Sequence, residues 1–128
     1  MSASSVSTLV AGQLSTRKDT LTVASGENNV ADIDTTATNL DQVIINNNAG
    51  TAQIFVRIWA LASGSVSLGS SVPIMILTAG AGETVEYSFA PAPVVETAMS
   101  AQVVQTNGYS ATSTAVTWAV TVTFLTHD

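Results

Sequence analysis

From Thr114 to Leu125 the chain alternates strictly. Val116, Trp118, Val120, Val122 and Phe124 take the even positions, and Ala115, Thr117, Ala119, Thr121 and Thr123 the odd ones. A period of two with bulky residues on one face and threonine on the other belongs to a half-buried antiparallel strand. A second stretch, Thr51 to Leu61, sets Ala52, Ile54, Val56, Ile58 and Ala60 on one face and Gln53, Phe55, Arg57, Trp59 and Leu61 on the other. That second face is too apolar for plain solvent. Shorter strands are expected from Thr20 to Val23, Leu40 to Ile45, Pro73 to Thr78, Glu83 to Phe89 and Ala101 to Thr106. Between them lie Ser25-Gly26, the run Asn46 to Gly50, Ser63-Gly64, Gly80-Ala81-Gly82 and Asn107-Gly108, the residues of tight turns.

Seven or eight short strands so punctuated predict an all-β fold, an antiparallel β-sandwich or jelly roll. No segment carries a 3.6-residue apolar stripe, so little or no helix is expected. The pattern places one sandwich domain over residues 20–128, with residues 27–39 as a polar connection. Val116, Trp118, Val120, Val122 and Phe124 should share a core with Ile54, Val56 and Ile58. Residues 1–19, rich in serine and threonine, read as an N-terminal arm or an extra strand. Leu9, Val10 and Leu14 are its substantial apolar side chains. They bury too little to offset a backbone-ordering cost of about 1–2 kcal/mol per residue, so contact with a neighbouring subunit is expected, with Arg17 and Lys18 meeting acidic surface there.

Composition narrows the function. Charged residues make up 9% of the 128, against about 25% in ordinary soluble domains, and no apolar run reaches the ~20 residues that cross a bilayer. Charge is depleted where subunits meet, so a homo-oligomer is expected and a membrane partner is not. The net charge of −6, with only three Lys and Arg, argues against nucleic-acid binding, which draws on clustered cations. Without cysteine there are no disulfides, thiolate chemistry or cysteine-based zinc sites. The opening Met1 to Ser5 has neither a basic stretch nor an apolar run, so no secretory signal is expected.

Candidate chemistry is sparse. His127 is the only histidine, next to the last residue, and reads as structural. Asp32 and Asp34, with Glu27, Asn28, Asn29 and Asp41 nearby, offer hard oxygen ligands, yet they lack the order of a calcium loop, so no metal is assigned. Glu83 and Glu86, three apart on a strand, point to opposite faces and cannot act as a carboxylate pair. Serine and threonine total 33, but a nucleophilic hydroxyl needs an adjacent base. Gly80-Ala81-Gly82 precedes a strand and offers no helix N-terminus to a phosphate. No catalytic residue or cofactor is expected. Phe55, Arg57 and Trp59 stand out, because arginine and aromatic residues are enriched at interfaces; the alternative is that their own domain covers this strand on both faces.

The runs from Asn46 to Trp59, Leu68 to Ile74 and Ala79 to Val85 place a turn and a long strand ending in an aromatic before a glycine-to-proline step and a glycine-rich turn. This order resembles small β-sandwich virion proteins of tailed bacteriophages over roughly residues 40 to 125. The resemblance implies a capsid decoration or cement protein, often trimeric, that is made in the host cytoplasm, sits on the capsid surface and binds the major capsid protein. The alternative it implies is a receptor- or glycan-binding knob of a tail or head fibre, where Trp59 or Tyr109 would stack on a sugar. On the composition arguments above, the candidate subunit or capsid contacts are Phe55, Arg57, Trp59, Leu9, Val10, Arg17 and Lys18.

Overall fold

The computed structural model describes Ala3, the backbone of Ser4–Leu9, and residues 17–128. The described residues form ten strands: β1 (Ser4–Leu9), β2 (Arg17–Val23), β3 (Ala31–Asp34), β4 (Thr38–Asn46), β5 (Ile54–Trp59), β6 (Met75–Ala79), β7 (Thr84–Ser88), β8 (Val94–Val95), β9 (Met99–Val104) and β10 (Val120–His127). Their only helical element is a three-residue 3₁₀ turn, Ser63–Ser65. One sheet runs β1-β2-β10-β4-β7 with β8 beside β4, and the other runs β3-β9-β5-β6.

The pairing has a simple logic. With β1 and the two-residue β8 set aside, the first of the eight remaining strands pairs with the last (β2 with β10), the second with the seventh (β3 with β9), the third with the sixth (β4 with β7) and the fourth with the fifth (β5 with β6), all antiparallel. This long ribbon is rolled until β10 also joins β4 and β9 also joins β5. The result is a jelly roll, one of the two architectures expected from the alternating pattern.

The core is built from the inner faces of both sheets. Leu21, Val43, Ile45, Val122 and Phe124 from the larger sheet meet Ile54, Val56, Ile58, Met99, Ala101 and Val103 from the smaller one, and Val116 and Val120 are buried with them. Trp118 packs against this core from a half-buried position. The expected core grouping is therefore present, but the strand carrying it is displaced: β10 runs Val120–His127, and residues 114–119 are loop.

A bulge shapes β4. Leu125 pairs with Gln42 while Thr126 pairs with Leu40, so Asp41 is an extra residue with no partner in register on β10. One extra residue shifts the face on which successive side chains fall. Leu40, an even position, and Val43 and Ile45, both odd, consequently all reach the core.

Two expectations need correction. Residues 27–39 are not simply a connection, since they contain β3, whose Ala31 and Ile33 are buried. The boundary after residue 19 does not hold either, because Arg17–Val23 is one continuous strand paired with β10. At the N-terminus, Ser4–Leu9 is a strand in unbroken register with β2. Val10 and Leu14 lie outside the described residues, as does the Leu9 side chain.

Candidate interaction surface

Along β5 the outward positions are Phe55, Arg57 and Trp59, opposite Thr78 and Ile76 on β6 and Val104, Gln102 and Ser100 on β9. In a plain sandwich this outer face would be wet. Here Arg57, Trp59, Ser100, Gln102 and Val104 are all buried and Phe55 is partly so, because two long loops fold back over the sheet: residues 60–74 between β5 and β6, and residues 105–119 between β9 and β10.

Arg57 anchors the second loop. Its Nε donates to the Gly108 carbonyl at 2.8 Å, Nη1 to Gln102 Oε1 at 3.0 Å and Ser113 Oγ at 3.2 Å, and Nη2 to the carbonyls of Thr112 at 3.1 Å and Thr106 at 3.5 Å. These contacts match the five donors of a guanidinium, and every acceptor is neutral. Burial pushes its pKa below the usual arginine value. Gln102 extends the web, its Nε2 donating to the Asn28 carbonyl at 2.7 Å.

Trp59 anchors the first loop, its Nε1 donating to the Ser71 carbonyl at 2.9 Å. The loops also meet each other: a Cβ on Gly69, whose φ is +86°, would lie 3.1 Å from the Ala111 amide nitrogen. Glycine there meets both the left-handed backbone and the close approach.

The outward surface of these loops has an unusual composition. No charged residue occurs between Arg57 and Glu83, nor between Glu96 and His127. The large apolar side chains the loops expose are Val72 (65%), Ile74 (44%), Tyr109 (41%) and Leu68 (37%). At the rim, the exposed Asp32 on β3 accepts a hydrogen bond from the Ser63 amide at 2.7 Å. Such a face, charge-poor and bearing an aromatic, has the composition of the centre of a protein interface.

The residues singled out from sequence are redistributed accordingly. Arg57 and Trp59 are covered by their own chain, and Arg57 does not reach the edge of the sheet. Trp59 is buried, at 1% exposure. Phe55 keeps partial exposure. Arg17 is half-buried, with Nε 3.2 Å from Asp19 Oδ2 and Nη1 3.2 Å from Asp34 Oδ2, so its charge is engaged within the chain. Lys18 is exposed. His127 is tied down rather than frayed, its Nδ1 2.8 Å from Asp41 Oδ1 and its carbonyl accepting from Thr38 Oγ1 and Asn39 Nδ2, both at 3.2 Å. The acidic residues are dispersed: Asp34 binds Thr36 and Arg17, Glu27 accepts from the Ala24 amide, and Asp41 faces His127. No group of three or more His, Cys, Asp or Glu that could hold a metal ion occurs among the described residues, and none of their helices is long and apolar enough to cross a membrane.

Sequence reading missed Leu68, Val72 and Ile74. They lie in a serine-rich loop with no periodicity, and the one signal for them is the long gap in charge around them. No family model matches the chain, and no curated protein matches it at a significant level.

Proposed function

We propose that this protein is a non-enzymatic structural component of a phage particle, a capsid decoration or cement protein that docks on the assembled shell through the loop-covered face of its four-stranded sheet. The observation that carries this reading is that face: Leu68, Val72, Ile74 and Tyr109 project from loops locked to the sheet by Arg57 and Trp59. An apolar surface on a pre-ordered platform loses little conformational entropy on docking. Binding only the assembled shell stabilises that state by mass action and requires no chemistry beyond surface fit. The jelly roll agrees with the role without establishing it, since one fold serves many functions.

The fibre-knob alternative is less well supported, because Trp59 is buried and Tyr109 is left as the exposed aromatic. Quantitative mass spectrometry of purified particles tests the proposal. A copy number comparable to that of the major shell protein is expected. Absence from particles, or a few copies confined to the tail, overturns the decoration reading.

A further inference from the structure

Each sheet of the sandwich has two edges, and three of the four carry a device that discourages pairing with another strand. On β7, Glu86 sits mid-strand and Glu83 immediately precedes it; charge on an edge is a common guard against strand addition. On β6, the Tyr87 hydroxyl donates to the Thr78 carbonyl at 2.6 Å and accepts from the Thr78 amide at 3.3 Å, so backbone groups an incoming strand would need are occupied. On β3, the strand is four residues long, carries Asp32 and Asp34, and has a register shift against β9.

The fourth edge, β1, has none of these. Ser4-Ser5-Val6-Ser7-Thr8-Leu9 contains no charge, proline or glycine, and its six residues pair with β2 in unbroken register. Among the described residues no strand pairs with its outer side, which presents a row of roughly three N–H and three C=O groups at the spacing of an antiparallel partner. An antiparallel strand edge is complementary to itself, and charge opposes a second copy least at this edge. The chain carries a net −6, so identical molecules repel in general, but β2, the strand behind β1, holds Lys18 and the ion-paired Arg17 beside a single acidic residue, Asp19, whereas β7 has Glu86, with Glu83 just before it, and no cation. This is the least negative border of the larger sheet. A strand paired antiparallel with its own copy satisfies the same edge twice and closes under a twofold axis.

We infer that two copies associate through β1 against β1, joining their six-stranded sheets into one continuous sheet, in place of the trimer that the resemblance implies. This does not rest on the particle-docking proposal, which uses the loop-covered outer face of the other sheet.

Light scattering on the full chain should give twice 13.1 kDa at micromolar concentration. The absence of native cysteine allows a clean second test, in which single cysteines replace residues 4 to 9 in turn. Twofold antiparallel pairing brings the central positions against themselves, so Val6→Cys or Ser7→Cys should give disulfide-linked dimers at least tenfold faster than Ser4→Cys or Leu9→Cys. Removing residues 1–9 should leave a folded monomer by circular dichroism and scattering. Should that deletion unfold the domain, Ser5→Lys and Ser7→Lys provide the charged edge instead and should likewise yield monomer. A wild-type monomer at every concentration, equal cross-linking along β1, or a dimer that survives both the deletion and the lysine changes would overturn the inference.

Discussion

Arg57 and Asn47 show how two polar side chains hold this protein's loops. Asn47 is fully buried; its Nδ2 donates to the carbonyls of Gly80 at 2.8 Å and Ala52 at 3.1 Å, and its Oδ1 accepts from Trp118 Nε1 at 2.7 Å. One amide thus joins the β4–β5 turn, the β6–β7 turn and the loop before β10. A Cβ on Gly50 would collide with the Asn47 side chain, so both positions are constrained together. Arg57→Lys keeps the charge but replaces a planar fork by a point donor. The buried Gln102 Oε1 and the part-buried loop carbonyls would lose donors, at about 1–3 kcal/mol for a fully buried acceptor and less for the others, so the melting temperature should fall by several degrees or more. The sign of any pH effect follows from burial: the lowered Arg57 pKa makes the charge costly at all pH values below it, and that cost is relieved only under strongly alkaline conditions. By contrast the half-exposed His127–Asp41 pair should contribute about 1 kcal/mol or less, and His127→Ala should shift the melting temperature by a few degrees at most. A larger loss than for Arg57→Lys would mean that the two sites have been ranked wrongly.

At the scale of elements, register is the decisive quantity, since a slip of one residue exchanges core and solvent faces. Val120 is buried and Thr121 half-buried on β10. Val120→Asp should bury an unpaired charge and prevent cooperative folding, while Thr121→Asp should be mild; equal behaviour in thermal unfolding would contradict the register. Alternation makes the β10 faces legible in the chain itself, because a half-buried antiparallel strand writes its burial directly into the order of residues; on β5 it separates the two faces but does not show that loops bury the outer one. It misplaces the start of β10, because Val116 and Trp118 are apolar for other reasons: one packs into the core from a loop, and the other reaches back to Asn47. It misses β3, whose four residues are too few to establish a period and whose aspartates imitate a loop. Arg57 is legible as unusual, but its partners, mostly backbone carbonyls 45 to 56 residues away, leave no mark on local sequence.

At the scale of the whole molecule, the outer faces of the two sheets differ. The larger sheet turns mostly threonine, amide and charged side chains outward, among them Thr20, Thr22, Thr121, Thr123, Lys18 and Glu86, with Val94 its one exposed large apolar residue among those described, while the loops over the smaller sheet carry no charge and expose Leu68, Val72, Ile74 and Tyr109. Exposed loop positions contribute little to folding, so Val72→Asp and Tyr109→Glu should leave stability within about 0.5 kcal/mol of wild type. Their effect should appear on docking instead, where a charge placed in an apolar contact is left unpaired. The most direct measurement is the occupancy of purified particles by wild type and by the Val72→Asp/Tyr109→Glu double variant, added at equal concentration to particles lacking the protein. Saturable wild-type binding, with at least a tenfold loss for a double variant of unchanged melting temperature, is the predicted result. Binding of the double variant at wild-type occupancy, or no binding by either, would contradict the docking role of this face.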